Sequence, residues 1–273
     1  VRFVPKELNK NVNISAEPPL KEFFLLLIAL LGIVLCIYIG LGFAVDLIVP
    51  RLPTEIETRL GRMYSRLYEG KKDEKSQAVE AEIQRILDGL AAELSYPQPY
   101  KVHLVSAQRA NALALPGGNI IITSALIKEI DSENALAFVL AHELGHFANR
   151  DHLRGLGRGL VFVTISSILF GADSSVSQIL QNSLQNVEMK FSQHQEKKAD
   201  LFALALLNRR YGHIAGATDF FQSMKKKEKG GRFLYYFASH PHSQERINIL
   251  EQEIVKMGYA RKESIPLDRN LKP

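Results

Sequence analysis

The sequence predicts an α+β, predominantly helical fold with a small β-sheet, preceded by an N-terminal transmembrane helix. Three observations lead there. Residues 23–45 form an uncharged run of 23 residues dominated by Phe, Leu, Ile and Val. Several later segments repeat apolar residues at helical spacing. One β-branched run, Ile120-Ile121-Ile122-Thr123, follows the turn-forming Pro116-Gly117-Gly118-Asn119. At 273 residues the chain holds one sizeable domain plus appendages. The net charge of +5 is modest and spread out, which argues against nucleic acid as a partner. Its densest basic run, Lys225 to Lys227 with Lys229 and Arg232, reads as a solvated loop, with an anionic membrane surface as the other partner it suits. The single cysteine, Cys36, allows no internal disulfide and excludes a Cys-based zinc site, leaving His and carboxylates as ligands.

The chain divides into a polar arm (1–22, with Pro5, Pro18 and Pro19), a transmembrane helix (23–49) and a globular domain (50–273). As a helix the uncharged run is about 35 Å long, enough for a hydrocarbon core of about 30 Å. Lys and Arg flank it on both sides, so charge does not orient it. Beyond Pro50 and Pro53, residues 54–68 carry Ile56, Leu60, Met63 and Leu67 on one helical face, and Thr54 with Glu57 suggests a capping box. A second amphipathic helix, 76–94, follows a charged break. Residues 100–107, 112–115 and 120–123 are expected as strands, with a hairpin at Gly117 and Gly118, and 125–130 as a short helix. Residues 159–172 are a second apolar stretch, too short to span and expected as a buried or interfacial helix. Residues 173–186, rich in Ser, Gln and Asn, read as a surface segment beside the cleft.

Residues 140–149 read LAHELGHFAN and contain H-E-x-x-H. On a helix, His142 and His146 lie one above the other on one face, about 6 Å apart along the axis. Two imidazoles so placed reach one zinc ion, and Glu143 beside them is placed to take a proton from a water. The apolar run 135–141 leading in makes this a buried helix with polar residues where a core helix has none. Zinc needs a third protein ligand, and the residues leave two candidates. His152 stands at the third position of the metzincin pattern H-E-x-x-H-x-x-G-x-x-H, with Asn149 in place of its glycine. Glu196 opens a helix through Leu207, and Asp200, one turn further on, could accept the outward N–H of a liganding His.

Four motifs in order, Asn111-Ala112-Leu113-Ala114-Leu115-Pro116-Gly117-Gly118, HELGH, Glu196-x-x-Ala199-Asp200, and His240-Pro241 with Glu245-Arg246, resemble the HtpX and prenyl-protease metallopeptidases. The resemblance implies a zincin-like catalytic domain of the gluzincin type over 50–273. It implies one Zn²⁺ held by His142, His146 and Glu196, with Glu143 as general base. It further implies that His240 and Arg246 line the cleft and stabilise the oxyanion, and that the strand Asn111, Ala112, Leu113, Ala114 and Leu115 pairs with substrate. The expected function is a single-span, membrane-anchored zinc endopeptidase acting on polypeptides in membrane or envelope quality control, its catalytic domain on the periplasmic side. Membrane lipid would meet residues 23–45. The alternatives are an anchored chaperone or assembly factor that cuts rarely, and a metzincin-like protease using His152.

Overall fold

The computed structural model describes residues 19–68, 72–95, 98–171, 191–217 and 244–268, with Ser175, His240 and Leu271. Residues 1–18 of the arm, the basic run at 225–232, and the 173–186 segment apart from Ser175 lie outside the described residues.

The apolar run lies within α1 (Pro19–Ile48), and a 3-10 turn at Val49–Arg51 follows it. Its side chains are almost all exposed, which for a helix apolar all round is the pattern suited to lipid. Among the described residues, two helices are long and apolar enough to cross a membrane by length and composition, within Leu20–Arg51 and Asp151–Phe170. The helix α2 (Thr54–Tyr68) follows. Glu57, expected to close a capping box with Thr54, pairs instead with His152, Oε1 to Nε2 at 2.9 Å. Next, α3 (Glu74–Ala91) starts at Asp73, whose side chain accepts from Ser76 N–H. It buries a stripe of Val79, Ile83, Ile86, Leu87 and Leu90, as an amphipathic helix should.

Three strands form the sheet: β1 (Lys101–Val105), β2 (Ala112–Leu115) and β3 (Asn119–Thr123), in the order β1-β3-β2. β2 and β3 are the antiparallel hairpin, β1 runs parallel to β3, and β2 is an edge. The hairpin turn requires Gly117 and Gly118, at φ 75° and 80°. A Cβ on Gly117 would stand 2.4 Å from Gly61 Cα, so α2 rests directly on this turn.

Among the described residues the helices α4 (Ser124–Glu129), α5 (Glu133–Ala148), α6 (Asp151–Phe170), α7 (Gln193–Tyr211) and α8 (Gln244–Met257) follow. α5 is buried from Asn134 to Phe147 and forms the axis of the core. Its main helical partner is α7. They meet at Gly145, where a Cβ would come 2.8 Å from Ala199 Cα. Gly145→Ala should therefore lower unfolding stability by about 1–3 kcal/mol, the usual cost of overpacking. Chemical denaturation of the variant beside the parent chain measures this, and equal midpoints and slopes would contradict it.

Candidate metal centre

Helix α5 presents His142 and His146 toward α7, and α7 presents Glu196 back. The turn that begins α7 is a capping box at Ser192, with Gln195 returning to the Ser192 N–H. This fixes the helix start one turn ahead of Glu196 and aims the carboxylate into the core. Glu196 is fully buried. His142 Nε2 and His146 Nε2 are 3.1 Å apart. Glu196 Oε2 is 3.5 Å from the first and Oε1 is 3.4 Å from the second. Ligands at 2.0–2.1 Å around a tetrahedral ion stand about 3.3 Å from one another. The two nitrogens and the carboxylate oxygen nearest each of them therefore stand at separations expected of ligands around one ion. His240 Nδ1 lies close by, 3.2 Å from His142 Nε2 and 3.0 Å from Glu196 Oε1. All four residues are buried and offer ligand atoms within 4.8 Å of one another.

The outer nitrogens explain why the inner ones face each other. His142 Nδ1 is 2.9 Å from Asp200 Oδ1, and His146 Nδ1 is 3.0 Å from Asp151 Oδ2. Asp151 takes the Nδ1 side of His146 by a hydrogen bond and Asp200 stands as the charged neighbour of His142 Nδ1, which leaves both Nε2 atoms aimed at a common point. Lone pairs and a carboxylate this close repel unless a cation lies between them, which is the fit expected of a metal site. Without a metal, protons must serve. Burial opposes charge on His142, but Glu196 and Asp200 outweigh it and push its pKa up to about 10. Burial likewise opposes charge on His146, whose pKa is raised by Asp151 and Glu196. Burial would raise Glu196, yet His240 and His142 hold it well below the carboxylate range.

Glu143, also fully buried, is fixed by the sheet: Ala114 N–H donates to its Oε2 at 2.8 Å. That bond leaves β2 on the side away from β3 and turns its free edge toward Glu143. Asn111 closes the hairpin instead, its N–H donating to Thr123 Oγ1 at 2.8 Å and its carbonyl accepting from Thr123 N–H at 3.0 Å. The Oε1 of Glu143 is 3.5 Å from His240 Nε2.

Arg246 and His152 stand where the motifs alone do not put them. Arg246, on α8, is 3% exposed; its Nε and Nη2 bond the two Asp200 oxygens at 2.7 Å, and its Nη1 is 2.6 Å from Glu196 Oε2. The guanidinium thus clamps two carboxylates of the cluster, which differs from the oxyanion contact that the resemblance implies. His152 is not brought to the cluster. Arg150 adopts a left-handed conformation, φ 55°, between α5 and α6. The chain turns there so that Asp151 faces His146 while His152 points to Glu57.

Asp151 and Phe191 belong to the site although no motif marks them. Asp151 bonds His146 and accepts from Gln195 Nε2 at 2.7 Å. Phe191 stacks on the His146 ring, centroids 3.8 Å apart and planes at 15°. The one available signal was an acidic residue immediately after the helix that bears the His pair.

The profile of Peptidase family M48 matches residues 77–254, from α3 through α8. The chain is 32% identical over 155 residues to metalloprotease LoiP of Escherichia coli (strain K12), covering 55% of this chain and 60% of that protein. It is 31% identical over 124 residues to the beta-barrel assembly-enhancing protease of Yersinia pestis, covering 41% and 25%. It is 28% identical over 171 residues to the mitochondrial metalloendopeptidase OMA1 of Schizosaccharomyces pombe (strain 972 / ATCC 24843), covering 60% and 50%. The chain spans less than two thirds of the length of each.

Metal binding should expel protons from this cluster. A ligating imidazole must be neutral, and the metal-free pKa of His142 is about 10. Apparent zinc affinity should rise with pH through neutrality, about tenfold per pH unit for each proton released. Calorimetric titration in buffers of different ionisation enthalpy counts those protons; a count of zero at pH 7 would refute the charge state described. Asp200→Asn and Asp151→Asn should each weaken zinc binding about 10–100-fold.

Proposed function

The chain belongs to Peptidase family M48, and from that premise we propose that it is a membrane-anchored zinc endopeptidase acting on polypeptides of a membrane or cell envelope. The observation that carries this reading is the ligand-like spacing of His142 Nε2, His146 Nε2 and the Glu196 carboxylate, with the carboxylate of Glu143 beside them. His142, His146 and Glu196 would hold one Zn²⁺, an ion suited to buried nitrogen and oxygen ligands in this geometry. When bound, zinc supplies Lewis acidity that polarises a carbonyl and makes water acidic enough to deprotonate near neutral pH.

The protein's own groups do the rest. Glu143 takes the proton of the attacking water and delivers it to the leaving amine. A substrate added to the free edge of β2 lies extended beside that carboxylate, because Ala114 N–H already ties strand and base together. His240, with Nε2 facing Glu143, is the side chain placed to meet negative charge developing on the carbonyl oxygen. Arg246 acts as a positioning residue that fixes Glu196 and Asp200. Asp200 and Asp151 orient the two imidazoles. The exposed apolar surface of α1 supports its role as the anchor. A relative named for β-barrel assembly supports an envelope setting, and in such a setting the catalytic domain would face the periplasm.

Glu143→Gln should keep its zinc and lose about 10²–10⁴-fold in kcat on casein or a peptide library, the usual contribution of a general base. Retained cleavage by that variant would sink the assignment. By metal analysis, Glu196→Ala should lose zinc and His152→Ala should retain it; the reverse pattern would favour the metzincin arrangement.

A further inference from the structure

We propose that α6 is a second membrane-embedded element, whose C-terminal half enters the bilayer beside α1 without crossing it. The helix has two parts. Its first part carries Asp151, Arg154 and Arg158, whereas residues 159–170 carry no charge. Those 12 residues make about 18 Å of helix, short of the roughly 30 Å of a hydrocarbon core. This half is not a core helix: Leu160 is 60% exposed, Ile168 77% and Phe170 52%. Of residues 159–170 only Ser166 is buried.

The occupant of that face follows from what lies alongside. Arg150 Nη1 donates to the Val49 and Leu52 carbonyls at 3.1 and 2.7 Å, and Arg158 Nη2 bonds both oxygens of Asp46 at 2.9 and 2.8 Å. A Cβ on Gly157 would stand 2.8 Å from Val45 Cγ1. As α6 advances its partners step back along α1, so the helices run antiparallel. The half-buried positions of α1 extend inward from Val45 through Gly42 to Val34. That stripe is about 16 Å long, and α6 is the helix that packs along α1. The uncharged half of α6 therefore lies beside the uncharged part of α1. Lipid that covers the exposed face of α1 continues without a break onto α6. The Arg158–Asp46 pair marks the hydrocarbon boundary, where a charge pair can stay hydrated, and below it the carbonyls as far as Ser167 are paired along the helix, the last by Gly171 N–H at 2.9 Å. A soluble partner would have to cover α6 at the depth where its neighbour faces lipid.

The same helix opens with Asp151, the carboxylate on His146, eight residues before Gly159. The metal cluster is then held about 12 Å along α6 from the boundary. On the peptidase reading above, the polypeptide within its reach is chain leaving the bilayer.

The chain has no tryptophan, so one introduced indole reports its own depth. The full chain carrying Ile168→Trp, Leu160→Trp or Asp88→Trp (the last on the exposed side of α3) is reconstituted in phosphatidylcholine vesicles. Ile168→Trp should lose emission most to lipids brominated at mid-chain, and Leu160→Trp most to lipids brominated near the headgroup. Asp88→Trp should lose emission to aqueous iodide and to neither lipid. Iodide quenching of Ile168→Trp equal to that of Asp88→Trp would overturn the proposal. So would an indole at 168 shielded from both iodide and bromolipid, which would mean a protein cover. The readout is position rather than turnover, so it is decided separately from the peptidase reading.

Discussion

The close approach of α5 and α7 at Gly145 and Ala199 is the constraint on which the rest depends. Only a glycine on one helix and an alanine on the other let the two backbones come near enough for Glu196 to meet both imidazoles. The cost is a heavily charged interior. Glu143, Asp151, Glu196 and Asp200 are all 0–1% exposed. Among the described residues, Arg246 and Arg154 are the guanidiniums paired with them. Asp151, Glu196 and Asp200 are each held ionised by their neighbours, and two guanidiniums do not balance them. Buried charge of that size is not tolerated uncompensated. Either the imidazoles take up protons, which is why burial fails to keep His142 neutral, or a divalent cation supplies the missing charge. The donor set and the charge balance thus lead to the same occupant by separate routes.

Much of the scaffold was legible because it depends on periodicity. The apolar stripe of α3, the uncharged run of α1 and the Gly117-Gly118 hairpin each follow from short-range rules. Within one helix the His142–His146 spacing is likewise local. Glu196 was not readable in this way, since nothing near it in sequence says that the start of α7 is buried; the linked motifs of a family resemblance were needed to prefer it to His152. Which of Asp151 and His152 faces His146 is set by one backbone angle. With Arg150 in the left-handed region the helix axis breaks, and the neighbour of His146 becomes the residue five positions on. Arg150 is not a residue that advertises such a conformation. Glu57 was misread for a related reason: a carboxylate three residues into a helix looks like a cap until a distant histidine claims it.

Seen from the anchor, the linker between α1 and the domain is a set of clasps. Arg150 holds the carbonyls at Val49 and Leu52, Glu57 holds His152, and Gly61 sits on the hairpin turn, where its carbonyl accepts from Asn119 Nδ2 at 3.2 Å. Each clasp joins a residue of the juxtamembrane stretch to one that adjoins the site. The hairpin carries β2, and β2 carries the N–H that fixes Glu143. A flexible tether would have needed none of these contacts. The buried pairing of His152 and the glycine-to-glycine contact make sense if the orientation of the domain on its anchor matters.

The two imidazoles are oriented from opposite sides of the molecule. Asp200 lies one turn beyond Glu196 on α7 and is gripped by Arg246 of α8, so the His142 side is tied to the core. Asp151 begins α6 and is gripped by Gln195 and Arg154, so the His146 side is tied to the helix that packs along α1. A rotation of α6 about its start would move Asp151 and leave Asp200 in place. It would loosen one imidazole while the other stayed fixed. Tautomer control at His146 is therefore the point where the membrane-side packing and the chemistry of the cluster meet, and Arg150, which makes the turn between α5 and α6 and bonds the linker, is the residue that joins them.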